Sequence, residues 1–156
     1  MYSRFAGFLV LAVFPGFLSP AVAEEQAVLK APDVVHLDHE SSLTAVLYLD
    51  EPWYVYAPTG INAAQGLIEL EVELEPVDGF TFASPVYPTP VSYDTFEVLF
   101  GPTIEIKQPL RVERYAPAGA YTIHAGLTFQ SCDGSICLPP QTVPLSVMIE
   151  LKDAKD

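Results

Sequence analysis

The chain has 156 residues, half of them apolar and 17% charged, enough to bury the core of one ordinary domain and too few charges for intrinsic disorder. Its formal charge is −13, with 20 Asp/Glu against 7 Lys/Arg. That balance repels phosphate backbones and anionic lipid surfaces, so nucleic acid is not an expected partner.

Residues 1–23 read as a cleaved signal peptide. Arg4 supplies the positive start, Phe5 to Phe17 is an uncharged apolar run, and Ala21-Val22-Ala23 is a small-x-small cleavage site before Glu24-Glu25. The apolar run is short for a membrane span and is interrupted by Pro15, Gly16 and Pro20. The expectation is export, with no stable membrane insertion once the signal is removed. A periplasmic address permits disulfides.

Residues 24–32 read as a flexible leader and 33–152 as a single all-β domain. Strands are expected over 33–38, 42–49 and 53–57, separated by Asp50-Glu51-Pro52 and followed by Pro58-Thr59-Gly60. His36 and His39 invite a metal-site reading. In a continuous strand, however, a spacing of three puts them on opposite faces. Over 67–75, Leu70, Val72 and Leu74 alternate with Glu69, Glu71, Glu73 and Glu75, which puts one face of a strand in a core and the other in water.

Asp78-Gly79 marks a turn, and 82–94, with Pro85, Pro88 and Pro90, reads as a surface loop. Strands over 95–99 and 103–113 follow, then Pro117-Ala118-Gly119. Tyr121, Ile123, Ala125, Leu127 and Phe129 alternate with polar or small residues, leaving His124 exposed. Val143, Leu145, Val147, Ile149 and Leu151 do the same near the end, before a tail at 153–156. Short strands at this spacing predict an immunoglobulin-like antiparallel β-sandwich.

The two cysteines, Cys132 and Cys137, lie between the best two alternating strands and flank the turn pair Asp133-Gly134. Only one intramolecular pairing exists. A loop of about six residues stabilises a fold by roughly 2 kcal/mol on the chain-entropy view, a weak brace. A bond at such an edge is open to attack by another thiolate. Spacing alone leaves brace and redox tool both open. It weighs against zinc, since no nearby His pair completes a tetrahedral set. No Ser-His-Asp arrangement, phosphate loop or paired catalytic carboxylate stands out.

The segment Cys-x4-Cys-Leu-Pro-Pro, with Phe129 before it and Thr142-Val143-Pro144 after it, resembles the N-terminal periplasmic domain family of DsbD-type thiol:disulfide interchange proteins, also called disulfide bond corrector-like. Trp53-Tyr54-Val55-Tyr56 is similar to the family's aromatic strand, and Leu99-Phe100-Gly101 to its cap segment. The likeness runs from about residue 33 to 151.

The resemblance implies an immunoglobulin-like fold and protein-disulfide reductase activity as one component of an electron relay. Cys132 and Cys137 would be the redox pair, with Cys137 forming the mixed disulfide. Phe100 with Leu99 would be the cap, Tyr54 and Tyr56 would line the site, and Glu97 would be a nearby carboxylate. It implies no organic cofactor and no metal. The implied partners are thioredoxin-like periplasmic proteins, among them disulfide isomerases and cytochrome c maturation factors, and a membrane-embedded reductase. The sequence carries no transmembrane or thioredoxin-like part, so that donor is expected to be a separate protein. Four residues separate the cysteines where the best-studied branch has five, and Leu99 stands where that branch has an aromatic. The contrasting reading is a protein-binding or chaperone-like module that offers a sheet edge to a partner, its disulfide bracing a hairpin.

Overall fold

The computed structural model describes residues 26–37 and 39–153. The expected signal peptide and the last three residues of the expected tail lie outside them. The described chain is almost entirely β.

Twelve strands follow in order among the described residues: β1 (Gln26–Lys30), β2 (Val34–His36), β3 (Glu40–Tyr48), β4 (Tyr54–Tyr56), β5 (Glu71–Leu74), β6 (Phe80–Phe82), β7 (Val91–Tyr93), β8 (Phe96–Phe100), β9 (Thr103–Val112), β10 (Gly119–Phe129), β11 (Ser131–Cys132) and β12 (Gln141–Lys152). One sheet has the order β1-β3-β9-β6 and the second β2-β12-β10-β5. Naming β1, β3, β5, β6, β9, β10 and β12 A to G in chain order gives A-B-E-D on one sheet and G-F-C on the other. That is the Greek-key arrangement of an immunoglobulin-like sandwich. Tyr121, near the start of strand F, donates its hydroxyl to the carbonyl of Pro117 at 2.7 Å, pinning the E–F corner as in that fold.

The alternating segments supply the core as their pattern dictates. Leu43, Ala45 and Leu47 of β3 and Ile104, Ile106 and Leu110 of β9 face Ile123, Leu127 and Phe129 of β10 and Leu145, Ile149 and Leu151 of β12 in one cluster. Val72 and Leu70 join it, while Glu71 and Glu73 stand in solvent. Each fully buried Leu, Ile or Phe contributes about 1.5–3 kcal/mol through the hydrophobic effect.

The strand pairs of the described chain are antiparallel with one exception: β2 runs parallel to β12, Val34 opposite Glu150 and His36 opposite Lys152. The leader expected over 24–32 also needs correction. Gln26–Lys30 forms β1, paired antiparallel to β3 from Gln26↔Tyr48 to Lys30↔Thr44. Leu29, 7% exposed, turns into the core, and that burial with five residues of ladder holds the segment down. Within the loop expected over 82–94, Val91–Tyr93 is β7, hairpin-paired to β8. Phe80–Phe82, just before it, is β6 on the edge of the first sheet.

His36 and His39 are also placed differently from the expectation of opposite faces. Strand β2 stops at His36 and the chain turns, with the amide of His39 donating to the carbonyl of His36 at 3.4 Å. The rings therefore meet edge-on with centroids 6.0 Å apart. Among the described residues no group of three or more His, Cys, Asp or Glu is gathered to hold a metal. No helix there is long and apolar enough to cross a membrane.

A third sheet, β11-β4-β8-β7, is assembled from three connections of the sandwich. Strand β4 comes from the B–C connection, β7 and β8 from D–E, and β11 from F–G. They meet at the end where β3 runs out beside the start of β9 (Tyr48↔Thr103) and β10 runs out beside the start of β12 (Phe129↔Gln141). The cysteines sit on this sheet.

Candidate functional site

The cysteine hairpin is built by its turn residues. Cys132 and Cys137 bridge antiparallel across the hairpin, bonded through sulfur with Cα atoms 4.1 Å apart. Between them Asp133 accepts at one carboxylate oxygen, Oδ1, from the amides of Ser135 (2.7 Å) and Ile136 (2.8 Å). Those two amides, Ile136 first, hold the Asp133 carboxyl below the usual carboxylate range. The turn also needs Gly134, whose φ is +92°. A Cβ at that position would come within 3.2 Å of the Tyr93 hydroxyl, so Tyr93 lies directly over the turn.

The two sulfurs occupy unlike surroundings. Cys132 is wholly buried, in a cluster with Tyr54, Tyr56 and Val98, whereas Cys137 is exposed. Pairing explains the burial. Cys132 lies opposite Tyr54 on β4, and Tyr54 lies opposite Phe100 on β8, so all three share one sheet face. The Tyr56 hydroxyl is 3.5 Å from Cys132 Sγ and 3.8 Å from Cys137 Sγ. Neither bonded sulfur carries a proton, so the tyrosine is the donor.

The rings form a connected set. Tyr54 meets Tyr56, Tyr93 and Phe100 at centroid distances of 5.9, 5.4 and 5.5 Å, and Tyr93 meets Phe100 at 6.0 Å. Burial, and then the neighbouring Tyr56 and Tyr93, push the Tyr54 hydroxyl above its ordinary pKa. Tyr93 and Phe100 are 44% and 40% exposed and form the outer rim.

Of the residues singled out from sequence, Tyr54, Tyr56 and Phe100 come together around the cysteine pair. Leu99 and Glu97 do not. Side chains alternate along β8, and Leu99, opposite Val55, points to the other face and into the sandwich core. Glu97 shares its parity with Leu99 and so projects away from the sulfurs. Its backbone, rather than its carboxylate, matters here: the carbonyl accepts from Ala57 N at 2.9 Å and from Asn62 Nδ2 at 2.7 Å.

Two contributors carry no signal that a sequence reading would catch. Tyr93 reaches the turn from β7, which the three nearby prolines disguise as loop. Asn62, fully buried, donates through Nδ2 to the carbonyls of Ala57 and Glu97 and accepts at Oδ1 from the amide of Glu97, tying the end of β4 to β8. A polar residue between Ile61 and a pair of alanines belongs to no periodic pattern.

Ser131, beside Cys132 and 1% exposed, has a hydroxyl with no hydrogen-bond partner. Burying an unpaired hydroxyl costs about 1–3 kcal/mol. Ser131→Ala is therefore expected to raise unfolding stability by about 1 kcal/mol in urea titration at unchanged m-value, and a loss of stability would show that the hydroxyl is paired.

No protein-family model and no curated protein matches the chain. Among solved structures it is similar to one described as "AvmM Catalyzes Macrocyclization in Alchivemycin A Biosynthesis". The identity is 10% and the TM-score 0.31, over 81% of this chain and 89% of that one. A likeness of that size carries no functional argument.

Proposed function

We propose that this chain is an exported thiol–disulfide exchange domain of the DsbD N-terminal type. It would relay reducing equivalents from a separate membrane-embedded reductase to thioredoxin-like periplasmic acceptors. The observation that carries this reading is the inequality of the two cysteines: one bond joins Cys137, an exposed residue, to Cys132, wholly buried among Tyr54, Tyr56 and Val98. A brace has no need of such a difference, whereas exchange chemistry needs one attackable sulfur and one protected thiol to resolve the intermediate.

A donor dithiol attacks Cys137 Sγ, breaks the Cys132–Cys137 bond and expels the Cys132 thiolate. The donor's second thiolate attacks its own sulfur in the mixed disulfide and frees Cys137. The donor leaves oxidised, and this domain holds two electrons and two protons as a dithiol. Cys137 thiolate then attacks an acceptor disulfide and expels one acceptor thiolate. Cys132 thiolate attacks Cys137 Sγ and expels the other. The domain returns to the disulfide, and the acceptor gains two electrons and two protons.

The reduction potential of the pair, measured in thiol–disulfide buffers with mass-tag readout, tests the reading. A value of about −270 to −120 mV is expected, the span of thioredoxin-like proteins. A value well below about −300 mV, or a bond that stays closed until the fold melts, would leave a disulfide-braced binding module as the better account.

A further inference from the structure

We infer that Asp133 is a positioning residue that sets how strongly the pair favours the disulfide and how fast a mixed disulfide at Cys137 is resolved. This inference rests on the exchange reading for its biological meaning but not for its chemistry.

The hairpin is held by bonds that do not pass through sulfur. Asp133 Oδ1 accepts the amides of Ser135 and Ile136, and the Asp133 amide donates to the carbonyl of Ile136 at 3.1 Å. Below the turn, Leu138 N donates to Ser131 O at 2.8 Å and Gln130 Nε2 to Leu138 O at 3.1 Å. Strand β11 is in addition laddered to β4. Breaking the S–S bond removes none of these contacts.

The dithiol consequently keeps Cys132 Sγ aimed at Cys137 Sγ, and ring closure has little chain entropy left to lose. That raises the effective concentration of one thiol at the other. When Cys137 carries an acceptor sulfur, the same turn presents the Cys132 thiolate to it. The new Cys132–Cys137 bond forms as the Cys137–acceptor bond breaks, and the acceptor leaves as a thiolate that takes up a proton. Within the turn, the two bonds to Oδ1 are made by a side chain, so a substitution can remove them without touching either cysteine.

The carboxylate's charge is a separate matter from its hydrogen bonds, and two variants divide them. Asp133→Asn keeps an acceptor oxygen and removes the charge, whereas Asp133→Ala removes both. In the full mature chain, equilibrated with reduced and oxidised dithiothreitol, Asp133→Ala is expected to shift the equilibrium about tenfold toward the dithiol. A tenfold shift is about 30 mV for this two-electron couple. The mixed disulfide formed with glutathione at Cys137 is expected to resolve about tenfold more slowly. Asp133→Asn is expected to match the natural chain in both.

Equal behaviour of Asp133→Ala and the natural chain would overturn the inference. So would an equal shift in both variants, which would assign the effect to charge. The comparison is between variants in a small-molecule couple. It therefore reads out even if the pair proves too reducing for a relay, a result that would count against the exchange function alone.

Discussion

A Cys132→Ser variant is expected to accumulate a covalent adduct with a thioredoxin-like protein through Cys137, and a Cys137→Ser variant to accumulate almost none. The two thiols have the same chemistry in a peptide. What separates them here is access: Cys137 stands at the hairpin rim, and Cys132 is fully buried against Tyr54, Tyr56 and Val98. A reagent reaches Cys132 only when the third sheet opens, so the reaction rates should differ by on the order of a hundredfold. Alkylation of each variant by an uncharged thiol reagent under native conditions, followed by mass spectrometry, gives the ratio directly. Equal rates in the folded state would mean that the burial of Cys132 does not protect it, and the division of labour between the two sulfurs would fail with it.

Asn62→Ala is expected to lower stability by about 3 kcal/mol, a large effect for a polar residue outside the hydrophobic core. Asn62 is wholly buried, and its amide makes three hydrogen bonds: to Ala57 O at 2.9 Å, to Glu97 O at 2.7 Å, and from Glu97 N at 3.1 Å. Alanine leaves the Glu97 amide without its partner inside the protein, and each unsatisfied buried group costs about 1–3 kcal/mol. The carbonyls of Ala57 and Glu97 fare better, since the Thr59 amide still bonds Ala57 O and the Ala57 amide still bonds Glu97 O. Urea unfolding at constant m-value would give the loss. Hydrogen exchange would show whether it is confined to β4 and β8. A cost below about 0.5 kcal/mol would mean that water replaces the amide at no penalty, and Asn62 would then not be what joins the cysteine-bearing sheet together.

Legibility in the sequence depends on where the determining forces act. Strands β5, β10 and β12 can be read off directly because one face of each is pressed on a core and alternation records it. The hairpin can be read because Asp-Gly is a turn signal of two residues. Strand β1 cannot, since only Ala27 and Leu29 turn inward, and two residues make no period. Strand β7 cannot, because all three of its residues are exposed and burial leaves no trace in them. The side-chain parity of β8 decides which neighbour of the expected cap reaches the site: Phe100 faces the cysteines and Leu99 the core, and that depends on register against β4, which only the fold fixes. Asn62 is invisible for a different reason. Its partners are backbone groups, which every residue has, and one of them lies 35 positions away.

The parallel pairing of β2 with β12 has a mechanical meaning. These are nearly the first and last strands of the described domain, and they point the same way. A pull on the chain before Val34, opposed by a pull after Lys152, drags them past each other lengthwise. The load then falls on all their rungs together, and on the ladder between β1 and β3 as well. An antiparallel pair in the same place would instead open one rung at a time from its end. A sandwich tied in this manner is gripped at its extremities along its strong axis, whereas the cysteine-bearing sheet is built from three inner connections and contains neither β2 nor β12.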